Sequence, residues 1–295
     1  MKLGIGTAQF GLNYGVSNRD GMTPQAEVER ILALAAAAGI DYLDTAPAYG
    51  RSESCLGAAL RGGGPFQIVT KTPACDGDTI QPSHADALRL TFLRSLENLR
   101  VDRVYGLLVH HAGDVMKPGG GLLLEVMREL AQQGLVQKLG ISVYDGAEID
   151  AVLEIFVPQI VQCPLNIFDQ RLLASGHLAK LQGLGAEVHL RSVFLQGLLL
   201  MEPDAMPGYF LRHRPLIEDF SRFVAGNQWT KLQCALSFAL AQTNADAVML
   251  GITTAAELSE ILGFASNTVP ANLDFSRFAV NDPDLVDPSR WRLAS

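Results

Sequence analysis

Four side chains able to hold or move a proton fall at the ends of short apolar runs. They are Asp44 and Tyr49 in DTAPAYG, Lys71 in QIVTKT and His110 in YGLLVHH. A phenol of ordinary pKa about 10 is a poor proton donor at neutral pH. A lysine ammonium about 4 Å away contributes on the order of 4 kcal/mol at an effective dielectric near 20. At about 1.36 kcal/mol per pKa unit, that lowers the phenol by roughly 3 at most. The acid then comes close to operating pH, where general acid–base groups work best. Asp44 can keep Lys71 charged and aimed, and a neutral imidazole at His110 can orient a carbonyl. This set delivers a proton to an oxygen. It holds neither a nucleophile nor a set of metal ligands, so the carbon chemistry has to come from a cofactor. Singly, each residue has a structural role available, since a strand-end Asp can cap a loop, a loop Tyr can pack and a strand Lys can reach solvent. Together, on three successive strand ends, they point to a site.

Something must bring those strand ends to one face. Apolar runs of strand length occur near Leu3–Thr7, Tyr42–Thr45, Gln67–Thr72, Tyr105–His110, Lys138–Val143, Ile160–Pro164, Glu187–Ser192 and Ala247–Gly251. Stretches of helical period separate them, among them PQAEVERILALAAAAG, ESCLGAALR, SHADALRLTFLRSLENL, GGLLLEVMRELAQQG and DGAEIDAVLEIF. Thr23 before Pro24 is placed to open the first helix, and Gly39 and Gly134 to close two others. Eight strands alternating with helices predict a parallel sheet closed into a single-domain (β/α)8 TIM barrel over residues 1–295, with its active site at the C-terminal ends of the strands. A doubly wound open sheet is the alternative architecture, but GIGTAQFG misses the third glycine of the dinucleotide-binding turn. Two segments lie outside the repeat: a Pro-containing insert over residues 201–228 and a polar tail from about Asn272 to Ser295.

Composition narrows the function class. Of the 295 residues, 48% are hydrophobic and 18% charged, enough for a large core, and no run reaches the roughly 18 to 20 apolar residues of a membrane helix. The opening MKLGIGTAQFG enters a strand-like run at once, with too short an apolar stretch for a signal peptide. A net charge of −8 without a basic cluster argues against a nucleic-acid partner. Cys55, Cys75, Cys163 and Cys234 are scattered with no C-x-x-C pair, as expected of reduced packing thiols in a cytoplasmic protein.

From end to end the chain resembles the aldo-keto reductase family. GTAQFG, DTAPAYGRSESCLGAAL, the TK of the third strand, LLVHH, GISVYD, VQCPLN and SVFLQGLL appear in the family's order. The motif around Asp44 and Tyr49, followed by Ser52-Glu53 and Leu56-Gly57, is highly specific. The resemblance implies that Asp44, Tyr49, Lys71 and His110 form the catalytic tetrad, with Tyr49 as acid. It further implies reversible hydride transfer between a nicotinamide cofactor and an aldehyde or ketone, the cofactor lying extended across the barrel mouth. By the same resemblance Thr7, Ala8 and Asp44 lie beside the nicotinamide ribose, and Ser142 and Gln162 hold the carboxamide. The usual asparagine after that serine is Val143 here. Arg191 stands where many members place a ring that stacks on the nicotinamide; a guanidinium can stack too, or reach a phosphate. Ser192 and Gly197 fall in the pyrophosphate loop, and Gly251, Thr253 and Glu260 at the adenosine end. Helix-start capping is the structural alternative for Thr253 and Glu260. The leading hairpin that many members place under the barrel is missing.

NADP is the cofactor the resemblance implies. GITTAAELSE offers no cation to grip a 2′-phosphate, so NAD is expected to be accepted as well. The expected partner is a small carbonyl or sugar, with no nucleic acid, membrane or metal, and the expected assembly is a monomer or weak dimer. Two other classes remain open. One is a cofactor-binding redox reporter of the same fold with little turnover. The other is a metal-dependent hydrolase using His110 and His111, disfavoured because adjacent strand residues face opposite sides. Tyr209, Phe210, Arg212 and Arg214 of the insert are placed either as a lid or as a solvated loop.

Overall fold

A computed structural model describes residues 2–266, 269–270 and 273–293. Three residues of the expected tail, Asn272, Ala294 and Ser295, lie outside the described residues. Eight parallel strands close into a barrel: β1 (Lys2–Gly6), β2 (Tyr42–Asp44), β3 (Gln67–Lys71), β4 (Val104–Val109), β5 (Val136–Ser142), β6 (Ile160–Pro164), β7 (Glu187–Arg191) and β8 (Ala247–Gly251). β1 closes the ring on β8 in register from Lys2 opposite Ala247 to Gly6 opposite Gly251. All eight expected strands are present, and the closure excludes the open sheet. The helices that follow them in turn are α1 (Gln25–Ala37), α2 (Ser52–Leu60), α3 (Pro82–Leu99), α4 (Gly121–Gln132), α5 (Gly146–Leu153), α6 (His177–Gly183), α7 (Lys231–Leu240) and α8 (Ala255–Ala265).

The two-residue period of a strand divides the side chains between two environments. Ile5, Leu43, Ile68, Leu107, Ile141, Val161, Val188 and Val248 point outward into the main core and meet buried helix residues such as Ile31, Leu88, Met127 and Leu178. In α4 the buried residues Leu123, Leu124, Met127 and Leu130 recur at spacings of three and four, which forms one apolar stripe. The opposite parity fills the barrel. Tyr42, Ala247 and Met249 form a lower layer, and Val69, Leu108 and Ile160 a middle one. The same parity carried to the strand tops presents Asp44, Lys71, Ser142, Gln162 and Arg191 at the upper mouth.

Glycines let the helices come close enough to hold those tops in place. A Cβ on Gly11 would lie 1.9 Å from the Tyr49 carbonyl oxygen, and one on Gly57 2.0 Å from that of Asn98. The first close approach seats the helical turn Ala8–Gly11 against the loop bearing Tyr49, and the second seats α2 on α3. Ends are capped largely as the sequence indicates. Gly39 and Gly134 take φ of 72° and 77° after α1 and α4. Thr23 differs: it makes no side-chain cap on α1, and its hydroxyl donates instead to the Thr253 carbonyl at 3.4 Å. Thr230 and Gln233 form a reciprocal capping box at the start of α7.

The insert is mostly helical, with short 3-10 turns leading into a helix over Arg214–Gly226. Ile217, Phe220 and Val224 of that helix are buried, and Phe220 meets Phe168 and Phe278 edge to face. None of its four singled-out residues lines the central cavity. Phe210 packs against Tyr209 and Trp291, Arg212 pairs with Asp282 and Asp284, and Arg214 pairs with Asp204 and Glu218. Phe210 and Arg212 thus brace the insert against the tail, while Tyr209 and Arg214 make their contacts within the insert.

The lower end of the barrel is closed by a carboxylate. Glu187, whose side chain is 10% exposed, accepts hydrogen bonds at 2.6 Å from Tyr42, Tyr105 and Lys138, and lies 2.8 Å from His189 Nε2. Burial alone would raise its pKa, but these four partners, His189 first, hold it well below the usual carboxylate range. A depressed folded pKa contributes stability that is present above the unfolded value of about 4.3 and is lost as pH falls through the folded value. Glu187→Ala is expected to cost about 3 kcal/mol at pH 7, because it strands a lysine and two phenols. Glu187→Gln should flatten the loss of stability below about pH 4. Urea unfolding of the three proteins at neutral and acidic pH measures both effects.

Candidate active site

At the C-terminal ends of the strands a cavity of about 680 Å³ opens, and Asp44, Tyr49, Lys71 and His110 all line it. Asp44 ends β2 and Lys71 ends β3; they are 5% and 2% exposed. Lys71 Nζ donates to Asp44 Oδ1 at 2.6 Å and to the Thr45 carbonyl at 3.0 Å. From across the barrel Gln162 Nε2 donates to the same Asp44 oxygen at 2.8 Å. Tyr49 lies five residues beyond Asp44, in the loop that precedes α2. Its ring centroid is 5.0 Å from Lys71 Nζ and 5.9 Å from the His110 ring, which it meets edge to face.

The motif around this loop fixes it locally. The Ser52 hydroxyl, fully buried at the start of α2, donates to the Thr7 carbonyl at 2.8 Å and lies 2.7 Å from Thr7 Oγ1 and 3.1 Å from Thr45 Oγ1. Thr7 in turn donates from its backbone N–H and its hydroxyl to the Asp44 carbonyl, both at 2.9 Å. Glu53 accepts a hydrogen bond from Thr70 at 2.7 Å on the outer side of β3. Ser52 and Glu53 thus lock the ends of β1, β2 and β3, and with them the positions of Asp44, Tyr49 and Lys71. The His110 backbone N–H donates to Thr72 Oγ1 at 3.2 Å.

Electrostatics at the site depart from the sequence expectation in one respect. The Tyr49 phenol is pushed above its ordinary value, first by burial and then by the Asp44 charge, with the Arg191 guanidinium pulling the other way. Lys71 acidifies it less than an isolated ammonium would, because Asp44 sits against that ammonium and offsets much of its field. Burial lowers the Lys71 pKa, while Asp44 works to raise it. His110 is brought down to about 3, by burial first and then by Lys71, His111 and Arg191, so its imidazole is neutral at pH 7.

The remaining expected residues divide clearly. Thr7, Ala8, Ser142, Gln162, Arg191, Ser192, Gly197, Gly251 and Thr253 all line the cavity. Glu260 is exposed on α8 and does not; Glu257, one turn earlier, does. Glu257 accepts from the Thr253 N–H and hydroxyl at 2.7 and 2.9 Å, so Thr253 is held by a helix-start cap and faces the cavity as well. Sequence reading missed Tyr144, whose ring lies 4.3 Å from the Arg191 guanidinium carbon, and the tail residues Pro288 and Ser289. It also placed His110 and His111 on opposite faces. β4 ends at Val109, and beyond it the two rings stack at 4.8 Å, both on the cavity. Among the described residues no group of three or more His, Cys, Asp or Glu is placed to hold a metal ion, and no helix is long and apolar enough to cross a membrane.

Room and donors for an extended dinucleotide are present. The cavity runs from the tetrad to Gly251 and Thr253. Gln162 Oε1 is buried without a hydrogen-bond partner beside Ser142, which suits an amide donor. Ser192, Leu195, Gln196 and Gly197 take φ of 60°, 49°, 54° and 90° at the mouth, the kind of turning backbone that forms anion-binding concavities. The first loop crosses toward this segment, with the Val16 N–H donating to the Gln196 carbonyl at 2.9 Å.

Comparison with known proteins agrees with the fold. The structure superposes on that of glycerol dehydrogenase AKR11B4 from Gluconobacter oxydans with a TM-score of 0.70 at 20% identity, covering 94% of this chain and 90% of that one. Aldo-keto reductase AKR11C1 from Bacillus halodurans, in its holo form, gives 0.72 at 19% identity, with 98% and 95% covered. In sequence, aldo-keto reductase YhdN of Bacillus subtilis (strain 168) is 31% identical over 180 residues, which is 58% of this chain and 52% of the relative. An aldo-keto reductase of Mycobacterium sp. (strain JLS) is 28% identical over 188 residues, 61% of this chain and 64% of the relative. The chain thus spans about half to two thirds of the length of these curated relatives. The sequence model of the Aldo/keto reductase family matches residues 2–274, nearly the whole barrel. The chain belongs to the aldo/keto reductase family.

Proposed function

We propose that this protein is an NAD(P)(H)-dependent oxidoreductase that interconverts an aldehyde or ketone and its alcohol, with Tyr49 as the general acid and base. The observation that carries this reading is the dry Lys71–Asp44 pair beneath Tyr49, with a neutral His110 on the same mouth. A nicotinamide cofactor, when bound, supplies the hydride. Ser142 and Gln162 are suited to its carboxamide, Thr7 and Ala8 to the adjoining ribose, Ser192 and Gly197 to its phosphates, and Gly251 and Thr253 to the far end of the groove. Tyr49 donates its phenolic proton to the substrate oxygen in reduction and takes it back in oxidation. His110, uncharged, orients that oxygen without competing as an acid. Lys71, held by Asp44 with its ammonium 5.0 Å from the Tyr49 ring centroid, is a fixed charge that needs no reorganisation as the phenol gives up its proton.

Tyr49→Phe keeps the ring and removes the proton. Turnover is expected to fall at least about a hundredfold, while cofactor affinity, read by fluorescence titration, stays nearly constant. A Tyr49→Phe protein with near-normal turnover would remove Tyr49 as the acid. In the unmodified protein, reduction should hold steady through neutral pH. It should decline only on the basic side, because burial places the phenol above its ordinary value of about 10. A single slow turnover without product release would support the redox-reporter reading instead.

The neutral state of His110 is directly observable. With a folded pKa of about 3, its imidazole carbon-bound proton resonance should not shift between pH 5 and 8. Because that pKa lies below the unfolded value of about 6.5, the group contributes stability present above pH 6.5 and lost as pH falls toward 3. A titration midpoint near 6.5 would contradict a buried neutral imidazole.

Cofactor choice follows from the β8–α8 segment, where Glu257 faces the cavity and Ile252–Leu258 contains no cation. Charge-assisted bonds are worth about 1.5–3 kcal/mol each, so their absence there erodes discrimination between the two nucleotides. NADP is proposed as cofactor with NAD accepted, and the ratio of kcat/KM for NADPH over NADH is expected to stay below about a thousandfold. A larger ratio would show that another cation holds the 2′-phosphate.

A further inference from the structure

Among the described residues, the lysine and arginine side chains that line the cavity are Arg19, Lys71 and Arg191. Lys71 is taken up by Asp44. Arg191 ends β7 beside the reacting groups, where its Nη2 donates to the Val143 carbonyl at 3.0 Å. Arg19 is different. It stands exposed on the first loop and forms no ion pair among the described residues. That loop is held at two places, each on a segment suited to the nucleotide. Near its start the Val16 N–H donates to the Gln196 carbonyl at 2.9 Å, and a Cβ on Gly197 would lie 1.8 Å from the Ser17 hydroxyl. Near its end the Thr23 N–H donates to the Gln9 carbonyl at 2.9 Å, and the Thr23 hydroxyl to the Thr253 carbonyl at 3.4 Å. Between these anchors Asn18 fixes a turn. Its Nδ2 donates to the carbonyls of Tyr14 and Gly21 at 3.1 and 2.9 Å, and its Oδ1 accepts from the N–H groups of Asp20 and Gly21, both at 3.1 Å. The turn leaves Arg19 and Asp20 on the cavity.

The loop thus carries Arg19 from the turn around Gln196 toward the Thr253 end of the cavity. At that end the β8–α8 segment offers Glu257 and no cation, so a phosphate there would meet only like charge unless a cation came from elsewhere. A guanidinium fork binds phosphate oxygens through paired N–H bonds, and Arg19 is the cavity cation not already committed. Resting on the nicotinamide-dependent reading above, we propose that Arg19 receives the adenosine 2′-phosphate of NADP, so that the first loop and not the β8–α8 segment distinguishes the two nucleotides. Asp20 and Glu257 face the same cavity and oppose this contact, and an exposed arginine loses side-chain freedom in making it. The resulting preference is therefore real but modest. The pyrophosphate that both nucleotides carry presents the same anionic oxygens from a second source, and the experiment separates the two.

The dissociation constants of NADPH and NADH, read by fluorescence titration without substrate, test the assignment. NADPH is expected to bind about tenfold to a hundredfold more tightly, as one charge-assisted pair allows. That advantage should shrink as salt rises from about 50 to about 500 mM, because the contact is exposed. In Arg19→Met it should fall below about threefold through weaker binding of NADPH alone, and Arg19→Lys should restore part of it. Arg19 packs into no core, and thermal unfolding of each variant establishes that it is folded. An Arg19→Met protein that loses affinity for both nucleotides equally would overturn the proposal, since the guanidinium would then serve the pyrophosphate. So would one that binds NADPH as the unmodified protein does, or an unmodified protein with equal constants for the two. Failure of the unmodified protein to bind either nucleotide would overturn the reductase reading together with the proposal. Nucleotide preference that depends on Arg19, in a protein that reduces no carbonyl, would uphold the proposal and overturn only the reductase reading.

Discussion

Lys71 and Asp44 face one another at 2.6 Å with side chains 1% and 8% exposed, and the rest of the upper mouth is arranged around that contact. Taking either charge out of water is expensive, and their attraction compensates only if the remaining lone pairs and protons are also met. Here they are. The Thr45 carbonyl takes a second ammonium proton, and Gln162 donates to the carboxylate from the opposite side of the barrel. The strand ends that supply these groups are themselves tied by Thr7 and Ser52. Loss of one charge would leave the other buried and unmatched, so the pair constrains backbone, loop and helix alike.

The pair also sets the tone of the chemistry above it. Burial first, and then the Asp44 charge, keep the proton on Tyr49 while nothing has reacted, because the paired ammonium offsets only part of both. The ammonium matters when negative charge develops on the phenol, since a fixed donor then requires no reorganisation. The barrel interior repeats the arrangement at its other end, where Glu187 gathers Tyr42, Tyr105, Lys138 and His189. Between the two polar ends lie Val69, Leu108 and Ile160, an apolar layer that keeps them apart.

What could be read without coordinates followed physical periodicity. Strand spans emerged because most of the eight are short apolar runs; Asp44 and Lys71 were legible as polar residues ending such runs, and Ser142, Gln162 and Arg191 through the family resemblance. Tyr49 was legible only through its motif, since a loop has no period. Residues brought in by loops from distant sequence, Tyr144, Glu257, Pro288 and Ser289, had no local signal. The opposite-face rule failed at His111 because the strand stops one residue before His110. The acidity of Tyr49 was misjudged for a different reason: the Lys71 charge was counted, while burial of the phenol and then the Asp44 charge, which both act the other way, were left out.

Closure of the ring has a bearing on how the site comes into being. Asp44, Tyr49, Lys71 and His110 all belong to the first four strand–helix units, whereas Gln162 reaches Asp44 from a position 118 residues later. A nascent chain that had emerged only through His110 would therefore carry every proton-handling group and still lack the Gln162 donor to its carboxylate. Assembly of the second half does more than cover hydrophobic surface. It supplies a hydrogen bond to the buried charge from the far side of the ring, so the carboxylate has its full set of partners only in the closed barrel.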